Sequence, residues 1–184
     1  MSTRYFQIAL VDRVARYKLD YFDYRAKNEI TYTLWDHLAR IAPQTAGGFI
    51  PAPSWSIRSS ELSPWDVVVY FVLEEFRGVA RSVGRRGNEG PNGGGAAVPT
   101  SHGVICEVYV EGNMPARRLA NIAFHELMHC KLDVGTSVLN DLHTQGGGGL
   151  AVPPTGEWTP LTNESIAILA PHMMTPVKQY TGSM

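Results

Sequence analysis

The spacing of apolar residues predicts helices in the first quarter of the chain. Between residues 13 and 41, Leu, Ala, Arg and aromatic side chains recur at helical intervals, and the Ala42-Pro43 step stops a helix. We therefore expect one or two helices in this region. A loop should follow, because three prolines occur within a short stretch: Pro51, Pro53 and Pro64.

Two strand-like runs flank a segment rich in glycine. Residues 66–73 are β-branched and aromatic enough to form a buried strand, which we expect at the centre of a sheet. Residues 84–103 are rich in Gly, Asn, Pro and Arg and predict a long loop. Residues 103–110 predict a second strand, and Glu111-Gly112-Asn113 predicts the turn after it.

The longest predicted helix begins just after this turn. It should cover residues 116–134, with Pro115 in its first turn and Gly135 in the left-handed position that ends it. A Gly-rich stretch at 146–149 and a Pro-rich loop at 153–154 come next, and a short helix over 162–170 precedes Pro171. These elements predict an α+β fold with a small sheet and Gly-rich loops.

Length and charge narrow the classes of partner. A chain of 184 residues, 44% of them hydrophobic, is enough for one core, so residues 1–184 should form a single domain. Its 16 Lys and Arg nearly balance its 17 Asp and Glu, so the chain has no net positive charge to attract nucleic acid or an anionic bilayer. No run approaches the ~20 apolar residues of a membrane span, and the N-terminus lacks the order of a signal peptide. We expect no stable membrane insertion, and a chain that is cytoplasmic, part of a longer protein, or exported without a cleaved signal.

The two cysteines leave two alternatives open. Cys106 and Cys130 are too few for a disulfide framework and form no CxxC pair. They are either two buried reduced thiols or one bridge between the second strand and the long helix. The bridge would imply an oxidising compartment.

Two imidazoles four residues apart carry the strongest chemical signal. In His125-Glu126-Leu127-Met128-His129 both rings project from one helical face, so their nitrogens can reach one metal ion. Glu126 lies about 100° further round the helix, where it can act as general base on a water at the metal. The motif predicts a zinc site that hydrolyses amides without a covalent intermediate. Its apolar neighbours support a metal, because buried polar groups need partners: Leu119, Ile122, Ala123, Phe124, Leu127 and Met128.

The strand, the helix with this motif, and the segments after it resemble the zincin metallopeptidases over about residues 103–180. That resemblance implies a zincin-like domain in which residues 104–110 form an edge strand that pairs with extended substrate. The stretches 125–132 and 141–150 more narrowly resemble the metallopeptidase toxin domains at the C-termini of VgrG spike proteins and other type VI secretion effectors. This likeness implies a secreted effector without a signal peptide, acting in the periplasm of a target cell and opposed by a cognate immunity protein.

A catalytic zinc ion needs a third protein ligand besides the two histidines. Leu132 and Gly135 stand where the metzincin pattern has Gly and His, which removes that subclass. His143 lies 14 residues past His129, a spacing that resembles SprT-like zincins, and we favour it as the ligand. Glu164 resembles the gluzincin ligand, although it lies opposite the apolar face of its helix and suits the positive helix end equally well. Three further candidates stay open: Asp133, Asp141 and His172.

We therefore expect a zinc-dependent endopeptidase acting on a protein or peptide substrate. Glu126 would be the base, and His125, His129 and His143 would be the metal ligands. Tyr109 or Tyr180 could donate to the oxyanion, although each is equally explained as a packed tyrosine. One alternative is a metal-binding toxin or interaction domain that acts by binding without proteolysis. Another is a phage or housekeeping peptidase with no toxic role.

Overall fold

The computed structural model describes residues 4–16, 18, 21–55, 67–73, 95–100, 103–131 and 162–174. Within these ranges the chain forms a mixed α+β fold with one five-stranded sheet. The strands are β1 (Tyr5–Asp12), β2 (Ile50–Ser54), β3 (Val67–Leu73), β4 (Gly95–Thr100) and β5 (Gly103–Val110). The helices are α1 (Tyr24–Ile41), α2 (Ala116–Lys131) and α3 (Asn163–Leu169).

The sheet has the strand order β2-β1-β3-β5-β4. β1 pairs in parallel with β2 and β3, and β3 pairs in parallel with β5. Only β4 runs antiparallel, against β5, with Gly95 opposite Val108 and Thr100 opposite Gly103. The sheet is therefore mainly parallel, and its antiparallel edge strand lies next to β5.

Side chains of alternating positions on β1, β3 and β5 form the core with the buried faces of α1 and α2. β3 shows the pattern most clearly, because its odd-numbered residues are buried and its even-numbered residues are half-buried. The two longer helices pack against each other, α1 against β2, and α2 against β3, β4 and β5. The largest fully buried side chains come from both layers: Phe6, Phe71, Phe124, Leu34, Leu38 and Leu127.

Local capping explains where the described helices begin. The Asp23 side chain accepts a hydrogen bond of 2.7 Å from the backbone N–H of Ala26 and caps α1. The Thr162 hydroxyl accepts from the N–H of Ser165 in the same way at the start of α3. Before α2, Gly112 has a φ of +44°, a left-handed conformation that favours glycine in the turn from β5.

Several predictions from the sequence are confirmed. A helix does end at the Ala42-Pro43 step, where α1 passes into a short 3₁₀ turn. The strand predicted at 66–73 is the central strand β3, and the last helix is α3 with a 3₁₀ turn after it. The helix predicted at 116–134 is present as α2, whereas residues 132–135 lie outside the described residues. No helix among the described ranges is both long and apolar enough to cross a bilayer.

Three predictions about the sheet are wrong. Residues 104–110 do not form an edge strand, because β5 is paired on both sides, by β3 and by β4. The Gly-rich segment 84–103 is not entirely loop, because β4 occupies residues 95–100. The loop expected at Pro51 and Pro53 is the strand β2. Both prolines are tolerated because β2 lies at the edge of the described sheet, where β1 is its only neighbour among the described strands.

A buried polar contact joins the two long helices. Nε2 of His37 on α1 lies 2.9 Å from Oδ1 of Asn121 on α2 and donates to it, and both side chains are buried. The His37 ring also packs against Phe124, with ring centroids 4.8 Å apart. Burial lowers the pKa of His37, and the hydrogen bond to Asn121 opposes this shift only in part. The folded protein therefore holds His37 neutral at pH values where an exposed histidine would gain a proton.

We expect His37 to make the protein less stable as the pH falls below about 6.5, the ordinary histidine pKa. In that range the unfolded chain binds a proton that folded His37 does not, so unfolding becomes easier by up to about 1.4 kcal/mol per pH unit. His37→Gln should be less stable at pH 8 but should show a flatter dependence between pH 7 and pH 5. Urea unfolding at several pH values in this range measures the free energy of unfolding of both proteins. An equal change with pH in the wild type and in His37→Gln would contradict the prediction.

Candidate metal centre

The helix α2 is almost completely surrounded by other parts of the protein. From residue 119 to residue 131 every side chain is buried except those of His125 and His129, which are half-buried. The two histidines lie four positions apart and so share one stripe of the helix. Within residues 119–131 this stripe is therefore the part of α2 that remains partly accessible to solvent.

The imidazole rings of His125 and His129 turn the same nitrogen toward each other. Their Nε2 atoms lie 2.9 Å apart, and the ring centroids are 4.7 Å apart with an interplanar angle of 71°. A hydrogen bond at this distance requires one ring to donate its Nε2–H and the other Nε2 to accept it. Two nitrogens bound to one tetrahedral zinc ion, each at about 2.0–2.1 Å, lie roughly 3.3 Å apart. A widening of a few tenths of an ångström would therefore let both rings bind the same ion, so the pair fits zinc.

The carboxylate of Glu126 lies on the neighbouring stripe of α2 and faces the sheet. Its side chain is only 7% exposed. A Cβ atom added to Gly95, the first residue of β4, would lie 2.7 Å from Cγ of Glu126 and 3.0 Å from its Oε1. Glu126 therefore lies directly against the backbone at the start of β4. The absence of a side chain at residue 95 is what leaves room for it.

A second buried carboxylate lies on β5, the strand that pairs with β4. Glu107 is 5% exposed, and its Oε2 accepts a hydrogen bond of 3.2 Å from the hydroxyl of Tyr109. Tyr109 is itself buried. This contact supports the interpretation of Tyr109 as a packed tyrosine rather than an oxyanion donor. Tyr180, the other candidate, lies outside the described residues.

The described residues do not supply a third metal ligand. Among them no group of three or more His, Cys, Asp or Glu side chains could hold a metal ion. Glu164 is exposed in the first turn of α3, and His172 is half-buried in the 3₁₀ turn that follows; neither forms such a group with the histidine pair. His143, Asp133 and Asp141 lie outside the described residues. The structure thus brings together His125, Glu126 and His129, and leaves His143 as a prediction.

The two cysteines meet on the buried side of the same helix. Sγ of Cys130 on α2 and Sγ of Cys106 on β5 are 3.0 Å apart, and both residues are free thiols. Burial raises the pKa of the Cys106 thiol well above its ordinary value, and the hydrogen bond to Cys130 acts in the same direction. The sequence analysis placed Cys106 on the second strand and Cys130 on the long helix, and the structure confirms both positions.

Gly95 is the one residue of this site that sequence reasoning missed. It was treated as part of a Gly-rich loop, because it is the last of three consecutive glycines, residues 93–95. The signal for a strand is the two alanines and the valine that follow it. Alanine favours strands only weakly, and one valine is too little to outweigh the preceding glycines.

Comparison with known proteins adds no further site residues, because no family model, curated protein or solved structure matches this chain.

Adding a methyl group at Gly95 should disturb Glu126 in particular. In Gly95→Ala the new Cβ would meet Glu126 Cγ at 2.7 Å and the backbone oxygen of Glu107 at 2.6 Å, so we expect a loss of about 1–3 kcal/mol in stability. The loss should be smaller when the substitution is made in Glu126→Ala, because one of the two clashes is then removed. A double-mutant cycle of unfolding free energies measures this coupling. Additive effects of the two substitutions would show that residues 95 and 126 do not touch.

Proposed function

We propose that this chain is a zinc-dependent endopeptidase with a zincin-like active site, and that it acts as an antibacterial effector domain. One observation carries the proposal. His125 and His129 are the only side chains between residues 119 and 131 that are not buried, and their Nε2 atoms face each other at 2.9 Å. Two half-buried imidazoles whose Nε2 atoms converge, next to a buried carboxylate on the same helix, form a pair that one metal ion can bind.

In this proposal His125, His129 and His143 hold the ion, and Glu126 performs the proton transfers. Zinc, when bound, supplies a Lewis acid that polarises the scissile carbonyl and makes water acidic enough to lose a proton near neutral pH. Glu126 takes the proton of the attacking water on its carboxylate. It then passes that proton to the nitrogen of the departing amine. The backbone at Gly95 lies against the Glu126 side chain and restricts its movement, which favours a fixed direction of proton transfer.

We propose that the substrate binds in extended form along β4. Within the described sheet β4 pairs on one side only, with β5, and its first residue touches Glu126. A peptide that adds to the open side of this strand would form main-chain hydrogen bonds and pass close to the histidines. β4 thus takes the role that the sequence had suggested for residues 104–110. Main-chain binding of this kind suits a protein or peptide substrate of varied sequence.

The effector role rests on the resemblance of stretches 125–132 and 141–150 to the toxin domains of VgrG spike proteins. That resemblance suggests delivery without a signal peptide, action in the periplasm of a target cell, and a cognate immunity protein in the producer. Two other functions compete with it. A toxin that only binds its target would keep its effect after loss of Glu126, and a phage or housekeeping peptidase would not harm a bacterial host.

Replacing Glu126 by glutamine should abolish peptide hydrolysis and leave zinc bound. We expect Glu126→Gln to lose activity by about 10²–10⁴-fold, because it removes the proton acceptor while the two imidazoles remain. The exposed carboxylate variant Glu111→Gln is the matched control and should keep wild-type activity. Cleavage of a proteome-derived peptide library, read by mass spectrometry, measures the rate without a known substrate.

The same pair of variants tests the effector role in cells. Wild-type protein and Glu111→Gln directed to the periplasm of a bacterial host should stop growth, and Glu126→Gln should not. Equal toxicity of wild type and Glu126→Gln would favour a toxin that acts by binding. Active hydrolysis without toxicity in either the periplasm or the cytosol would favour the housekeeping peptidase.

Zinc content should depend on the two described histidines and on His143. Inductively coupled plasma analysis of dialysed protein should find one zinc ion in the wild type and none in His125→Ala. Chelator competition should find that His143→Ala binds zinc more weakly by more than the roughly 10–100-fold loss expected for a residue that only supports a ligand. Glu164→Ala should bind zinc as the wild type does. The reverse result for the last two variants would make Glu164 the third ligand.

A further inference from the structure

The only two cysteines of the chain face each other between the metal-binding helix and the sheet. Cys130 is 1% exposed on α2, Cys106 is fully buried on β5, and their sulfur atoms are 3.0 Å apart. This distance is shorter than van der Waals contact between two sulfurs. A disulfide bond requires about 2.05 Å, so the sulfurs need to approach by only about 1 Å.

We propose that Cys106 and Cys130 form an intramolecular disulfide when the protein folds in an oxidising compartment. The proposal does not depend on the proposed peptidase function, because it rests on the two thiols alone. The oxidant is a disulfide, either a small molecule such as oxidised glutathione or an oxidoreductase of the compartment. Each protein thiol loses one proton and one electron, the S–S bond forms between them, and the oxidant leaves as two thiols.

The positions of the two residues favour a bond within one chain. Each lies in a regular element, Cys106 opposite Val69 of β3 and Cys130 in the last turn of α2. With both backbones in these regular elements the sulfurs already lie 3.0 Å apart. Both thiols are also enclosed, so a second protein molecule cannot reach either of them in the folded state. A mixed or intermolecular disulfide is therefore disfavoured relative to the internal one.

Burial also determines when the bond forms. One protein sulfur must first attack a dissolved disulfide and form a mixed disulfide with it. The second protein sulfur then attacks this mixed disulfide and releases the other half of the oxidant as a thiol. In the folded protein the first step requires local opening of α2 from β5. Oxidation should therefore be fast during folding and slow afterwards. A protein folded in a reducing cytoplasm would keep its thiols, and one that unfolds during export and refolds outside would gain the bond.

The bond would act on the part of α2 that carries the candidate metal centre. Cys130 follows His129 directly, and it lies one turn beyond Glu126 on the same helical stripe. A link from this position to β5 would fasten the last turn of α2 to the sheet. It would close a loop between residues 24 positions apart in sequence and so reduce the freedom of the unfolded chain.

The test is to refold the full chain from denaturant in a buffer of reduced and oxidised glutathione. We expect no thiol to react with an alkylating agent under denaturing conditions, and a mass about 2 Da lower than that of the reduced chain. Peptide mapping should find residues 106 and 130 linked within one chain. The oxidised protein should melt roughly 6–12 °C above the same protein in dithiothreitol. Two alkylated thiols, a glutathione adduct, or a linked dimer would each overturn the proposal.

Variants separate this bond from other effects of oxidation. Cys106→Ala and Cys130→Ala should each lose the dependence of melting temperature on redox state, whatever their own stability is. Glu126→Gln should still form the disulfide, since no atom of the carboxylate takes part in the bond. Loss of peptidase activity in Glu126→Gln with an intact bond supports both proposals. A wild-type protein that hydrolyses peptides but stays reduced in the glutathione buffer overturns only this one.

Discussion

The burial of α2 against β3, β4 and β5 is the constraint on which the site depends. The side chains from residue 119 to residue 131 are enclosed apart from two, and those two are the histidines of the candidate metal centre. Packing fixes the rotation of the helix about its own axis, because Leu127 and Cys130 must face the core. Once the rotation is fixed, His125 and His129 lie on the partly accessible side of the helix, and Glu126 lies against β4. The hydrophobic contacts of α2 thus determine the directions in which its polar side chains lie.

The sequence indicated the elements whose patterns are strong and missed those whose patterns are weak. α1, α2, β3 and β5 carry long apolar or β-branched runs, and all four were expected. β1 was not predicted, although Ile8, Leu10 and Val11 give it a partly apolar character. β2 contains two prolines and β4 begins at a glycine, so local propensity argued against both strands. Each forms at an edge of the sheet, where pairing with one neighbour outweighs what the residues prefer in isolation.

The candidate site was predictable as far as it lies on a single helix. The spacing of His125 and His129 fixes their common face, and the position of Glu126 follows from the helical period. The contact between Glu126 and Gly95 was not predictable, since it depends on which strand lies at the sheet edge. The assignment of residues 104–110 to that edge failed for the same reason. Strand order is a property of the whole sheet, and a single sequence gives little information about it.

The elements that form the candidate centre, β4, β5 and α2, follow one another directly along the chain. β4 and β5 are separated by only two residues and pair with each other, and α2 begins six residues after β5 ends. Every described group at the candidate centre therefore comes from one stretch, residues 95–131, whereas the parallel strands β1 and β2 must be joined across α1. Contacts between near neighbours in sequence have a lower entropic cost of loop closure than distant ones. The arrangement that holds Glu126 against β4 can thus assemble early in folding, before the remote edge of the sheet is complete.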